Sequence, residues 1–226
     1  MEAATPAAAP PVPTPEEFAR QKQIDRTKTG LLLLFIGVLL SWVPYVGFVG
    51  GIIFLVGAIL VILGRKAFGP AHSRNVLIAL ALFVAGIVGL VAVLVLLVNA
   101  IITTVVPTTP EEVLALITTY IPALLVVGGI SGLSYPLLAH AVSSRTGQIL
   151  LWVGYAATLG ILAVTYITLI GIFEAAAAIP TDPFGFLTAF LTAFITIFLL
   201  FVVSSVLYAV GYYLAYSRVH RGEIPA

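Results

Sequence analysis

Few side chains in this sequence have the types and spacing that chemistry needs. The histidines are His72, His140 and His220, and there is no cysteine, so thiolate zinc sites, iron–sulfur clusters, disulfides and cysteine nucleophiles are all excluded. No H-x-x-x-H or HExxH spacing joins two of the histidines, and each stands within five residues of an arginine at the end of an apolar run. They read as three separate interfacial residues, with no metal site expected. Glu174 lies in an apolar segment, about 42 Å along a helix counted from Thr146, which puts it at headgroup level and not at a proton-coupling midplane.

A richer cluster combines helix breakers with hydroxyls. Pro122 and Pro136 bracket Gly128, Gly129, Ser131, Gly132, Ser134 and Tyr135 within one apolar segment. Proline removes a backbone hydrogen bond and glycine permits bending, so a kinked or broken helix is expected there. Broken membrane helices expose backbone groups that can meet a polar ligand. The plainer reading is a packing kink whose carbonyls are satisfied by Ser131, Ser134 or Tyr135. Tyr208, Tyr212 and Tyr216, with Tyr213, are spaced as an interfacial aromatic belt. No phosphate-binding loop, dinucleotide fingerprint, nucleophile elbow or metalloprotease box occurs. No catalytic residue and no cofactor are expected.

The elements that must position these residues are membrane helices. The chain is 61% hydrophobic and 8% charged, with a mean hydropathy of +1.19, whereas soluble domains carry roughly 25% charged residues. Its net charge of +1 gives no reason to expect nucleic acid. The basic residues Arg20, Lys22, Arg26, Lys28, Arg65, Lys66, Arg74, Arg145, Arg218 and Arg221 stand in four clusters separated by long apolar runs. One arrangement puts all of them on the same side: an all-α, polytopic bundle of six transmembrane helices over 29–44, 46–64, 75–102, 113–139, 146–177 and 184–216, with both termini cytoplasmic.

The first two spans follow from length. As one helix, the uncharged run Gly30–Leu63 would be about 50 Å long against a hydrocarbon core of about 30 Å, and Pro44 beside Trp42 and Tyr45 offers a turn. The hairpin either spans the membrane or re-enters; spanning is favoured because lipid-facing irregular backbone is costly. No signal-peptide cleavage site follows the first run, which reads as a permanent membrane segment.

Residues 1–29 divide into an Ala/Pro-rich tail and a short charged juxtamembrane helix, started by a capping box at Thr14-Pro15-Glu16-Glu17. Residues 30–217 form the membrane domain and 218–226 a short cytoplasmic tail. Gly47, Gly50, Gly51, Gly57 and Gly64 give the second helix a smooth face, for packing inside the bundle or for a homodimer. Gly30 and Gly37 after Arg26-Thr27-Lys28-Thr29 are echoed by Gly147 and Gly154 after Ser144-Arg145-Thr146, a faint parallel repeat.

The passage Leu33 to Gly64, with Val46-Gly47-Phe48-Val49-Gly50-Gly51 followed by Gly57 to Gly64 and the basic pair Arg65-Lys66, resembles archaeal polytopic membrane proteins of unknown function. The resemblance implies an archaeal membrane origin and no activity or site residues. The expected function is therefore a non-enzymatic structural or interaction subunit of the cell membrane, in contact with lipid and packed with itself or with other membrane subunits. The alternative is a facilitator or permease for a small neutral or weakly polar solute, with its site at the broken fourth helix.

Overall fold

The computed structural model describes residues 14–43, 45–103, 110–177 and 183–223, and among them every regular element is helical. The tail 1–13 and the expected turn residue Pro44 lie outside the described residues. Helix α1 (Pro15–Ser41) begins with the expected capping box. The Glu17 amide donates to Thr14 Oγ1 at 3.3 Å, and the Thr14 amide donates to the Glu17 carboxylate at 2.7 Å. These bonds, the backbone one foremost, hold the Glu17 carboxyl below its usual range. The juxtamembrane helix and the first span are one unbroken helix, since no proline separates them.

Helix α2 (Gly47–Gly64) returns antiparallel to α1 with the two backbones in direct contact. A Cβ added to Gly57 would lie 2.8 Å from the Gly30 carbonyl oxygen, and one on Gly50 would lie 2.8 Å from that of Gly37. Only glycine permits this approach. A 3-10 turn, Arg65–Phe68, then leads to Gly69, whose φ of 82° is in the left-handed region. Without that break the apolar stretch Gly47–Thr103 would be a rod of about 85 Å. Helix α3 (Gly69–Thr103) follows.

Helices α4 (Pro110–Gly132) and α5 (Ser134–Ala139) are the two parts of the expected broken helix. The interruption falls at Leu133. Pro136 has no N–H to donate to the Gly132 carbonyl four residues upstream, and its ring crowds that group, which accounts for the break directly after Gly132. Pro122 sits inside continuous α4. Helices α6 (Arg145–Ala177) and α7 (Pro183–His220) complete the chain.

Close contacts order the bundle. Gly86 meets Ser131 and Gly89 meets Val127, so α3 and α4 are antiparallel. Gly129 faces Leu159 and Gly132 faces Tyr155, which joins α4 to α6; Gly147 faces Leu214 and Gly154 faces Tyr208, which joins α6 to α7. Phe35 packs on Tyr213 at 5.6 Å and Trp42 on Phe198 at 6.5 Å, closing α1 onto α7. The helices follow one another around the bundle as α2, α1, α7, α6, α4 and α3. Contact between α2 and α3 is sparse, as expected for helices that meet only at the turn joining them, and a lateral gap remains.

This order places the start of α1, the Arg65–Phe68 turn, the start of α6 and the end of α7 at one end of the molecule. All ten basic residues are at that end. Beneath the cavity described below, it is sealed by a core that includes Leu31, Leu34, Val76, Val142, Tyr212 and Ala215. Four stretches (Gly47–Thr103, Thr118–Val142, Arg145–Ile172 and Phe184–His220) are long and apolar enough to cross a membrane. Their exposed side chains, such as Val88, Leu96, Ile102, Ile167 and Phe194, form a surface suited to lipid.

Candidate solute cavity

Ringed helices with one loose seam enclose space, and here the space is a cavity of about 640 Å³ to which all seven helices contribute. It lies against the α4–α5 interruption. Gly128, Ser131, Gly132, Ser134 and Tyr135 line it; Pro122, Gly129 and Pro136 do not. Gly129 instead borders a shallow groove on the outer face with Tyr155 and Leu159. Pro136 is buried beside the cavity wall, in the break it creates.

The wall has two chemical characters. On α2 and α3 it is apolar and partly open: Leu55, Ile59 and Leu80 both line the cavity and are 45%, 47% and 36% exposed. These residues form its mouth, at the gap between the two helices. The opposite wall is buried and carries hydroxyls from Ser134, Ser204, Ser205 and Tyr208. No charged side chain lines the cavity.

Hydrogen bonds fix part of the hydroxyl wall. Thr158 donates to the Gly154 carbonyl at 3.0 Å and lies 2.9 Å from Ser204, which is itself 3.0 Å from the same carbonyl. Ser131 caps the Gly128 carbonyl at 3.1 Å and Tyr155 donates to that of Gly129 at 3.0 Å, so the last turn of α4 is held from two sides. Tyr212, beneath the cavity, donates to the Tyr135 carbonyl at 2.9 Å. Tyr208 is different. Its ring packs on Tyr135 at 5.6 Å and on Tyr212 at 6.3 Å, yet its hydroxyl is buried without a hydrogen-bond partner. The Thr158 hydroxyl is the nearest protein group to it, with its own proton directed to Gly154 or Ser204.

Several expected positions are corrected here. Tyr208 and Tyr212 are core residues, 6% and 0% exposed, while Tyr213 faces outward. Spacing by four gives an aromatic stripe but does not say which way it faces. His72 is not solvated: it is buried, edge-on to Phe68 at 5.6 Å, and neither ring nitrogen has a partner. His140 accepts from the Trp152 indole at 3.2 Å and His220 stacks on Tyr216 at 5.6 Å. Among the described residues no three metal-ligating side chains come together. Of the kink carbonyls, that of Gly128 is met by the local Ser131, as expected, while those of Gly129 and Tyr135 are met by tyrosines from α6 and α7.

Of the five glycines expected to pack, Gly47, Gly50, Gly57 and Gly64 close on α1, whereas Gly51 has nothing within 4 Å. Thr158, Ser204 and Ser205 were not singled out from sequence, and Tyr208 was read only as part of an aromatic belt. The signal was present in Ser204-Ser205, adjacent hydroxyls inside an apolar helix with Tyr208 one turn on. No family model, curated protein or solved structure matches the chain.

Proposed function

We propose that this protein is a non-enzymatic, multi-pass protein of the cell membrane that binds and passes a small neutral or weakly polar solute through the cavity at the α4–α5 break. In this reading the end bearing the basic residues faces the cytoplasm, as the positive-inside bias requires, and both termini lie there. One observation carries the choice of a solute site over a purely structural subunit. The break opens onto a cavity of about 640 Å³ lined by Ser131, Ser134 and Tyr135, within the size range of small-molecule sites. A bundle that served only to pack has no need of a cavity of this size beside a helix break. The uncharged lining suits an uncharged solute, since a charged one would lack a counter-charge in a low-dielectric site. The archaeal resemblance fits a membrane protein and adds no activity.

The chain has no native cysteine, so single cysteines over 126–136 report directly on access. With a small membrane-permeant thiol reagent, which reaches the cavity through lipid or water alike, Ser131→Cys, Ser134→Cys and Tyr135→Cys are expected to react. Val126→Cys and Ile130→Cys, whose side chains are on the outer face, should not. Absence of labelling across the whole segment would overturn the solute-passage reading.

A further inference from the structure

We infer that the solute is a neutral amphipath drawn from the bilayer itself: a molecule with one uncharged oxygen head and a hydrocarbon chain, which passes between α2 and α3 head first. The inference rests on the cavity being a solute site and specifies its ligand. Two observations carry it. The first is the mouth. Leu55, Ile59 and Leu80 frame a gap that opens sideways, where hydrocarbon lies, and the wall there offers no hydroxyl or charge. A water-borne polar solute would lose its hydration against such a rim with nothing in return, whereas an alkyl chain loses nothing on moving from lipid to Leu and Ile.

The second is the Tyr208 hydroxyl. It is 94% buried by its 6% exposure, lines the cavity, and has no hydrogen-bond partner. An unpaired buried hydroxyl is costly, and an oxygen brought by the ligand removes that cost. Ser134 and Ser205 stand on the same buried wall and can hold a second lone pair or a hydroxyl proton. The head must be neutral because no basic or acidic side chain lines the cavity. A phosphate or ammonium head would be an uncompensated charge there. A long-chain alcohol has the required chemistry; a phospholipid does not.

The test uses the full chain in phosphatidylcholine nanodiscs. The probe is hexadecanol bearing a diazirine in its chain, with the matching hydroxyl-free hydrocarbon as comparison. After photolysis, hexadecanol adducts are expected on Phe54, Ile59 and Phe83, competed by unlabelled hexadecanol and not by hexadecane. Tyr208→Phe should weaken that competition by about fivefold, the effect of one lost hydrogen bond. Ile59→Trp, at an exposed position that tolerates bulk, should cut the same adducts while leaving those on outward Leu77 and Val88 unchanged.

Equal competition by hexadecane, or no effect of Tyr208→Phe in a folded protein, overturns the amphipath. Adducts confined to outward residues, together with thiol labelling of Ser131→Cys, overturn lateral access but leave the solute site standing. Adducts confined to outward residues with no thiol labelling overturn both.

Discussion

At the scale of single residues, the two buried tyrosines of α7 separate structure from ligand chemistry. Tyr212 is fully buried and donates to the Tyr135 carbonyl at 2.9 Å, so its hydroxyl secures the backbone next to the helix break. Tyr212→Phe keeps the ring stacked on Tyr208 and removes only that bond. The expected result is a loss of about 1 kcal/mol in a detergent unfolding titration, with hexadecanol labelling of the cavity retained. Tyr208→Phe should do the reverse, because its hydroxyl has no protein partner to lose. Equal destabilisation by both variants would mean that Tyr208 is bonded within the fold, and the ligand argument would fail with it.

At the scale of elements, the α1–α2 hairpin is held by backbone contact. Gly57 lies against Gly30 and the Leu34 amide, each 2.8 Å from where a Cβ would stand. These are main-chain atoms that cannot rotate away. Gly57→Leu is therefore expected to cost about 3 kcal/mol or more in the same titration. Gly160→Ala, on α6 with nothing within 4 Å, should leave stability unchanged or raise it slightly.

Legibility also divides at this scale. The capping box at Thr14, the interruption before Pro136 and the glycine face of α2 could be read because each depends on residues within a turn or two of one another. The burial of Tyr208 could not, since a stripe spaced by four looks the same facing lipid or core, and only the seating of α1 and α6 on α7 decides it. The cavity was legible on one wall, at Ser131 to Tyr135. Its mouth depends on α2 and α3 failing to pack, a property of six helix axes that no local pattern encodes.

For the whole molecule, the open matter is how deep the first hairpin reaches. Helices α3, α6 and α7 have 35, 33 and 38 residues, about 50 Å each or more, against some 40–45 Å for a bilayer with its headgroups. The hairpin is shorter. Its tip stands where Trp42 meets Phe198, and α7 continues from there to Pro183, about 22 Å further, with Phe194, Leu191 and Phe184 exposed on the way. Apolar surface of that extent suits lipid, and we propose on that ground that the tip lies inside the bilayer. The usual objection is unsatisfied backbone at a turn in hydrocarbon. Here it is weak: the Val43 amide donates to Leu40, the Val46 and Gly47 amides to Val43, and the Ser41 hydroxyl to Val38. The proposed arrangement is thus four full crossings, by α3, α4 with α5, α6 and α7, plus a hairpin inserted from the basic end, in place of six crossings. Tyr45→Cys should then resist an impermeant maleimide added to either side of intact membranes and react once detergent is present. Thr103→Cys should react from one side and Lys66→Cys from the other. A Tyr45→Cys variant that labels from the same side as Thr103→Cys would restore the spanning hairpin. It would also move the cavity, one wall of which is that hairpin, from the basic-end half of the bilayer to its full depth, so the same measurement fixes the leaflet that supplies the ligand.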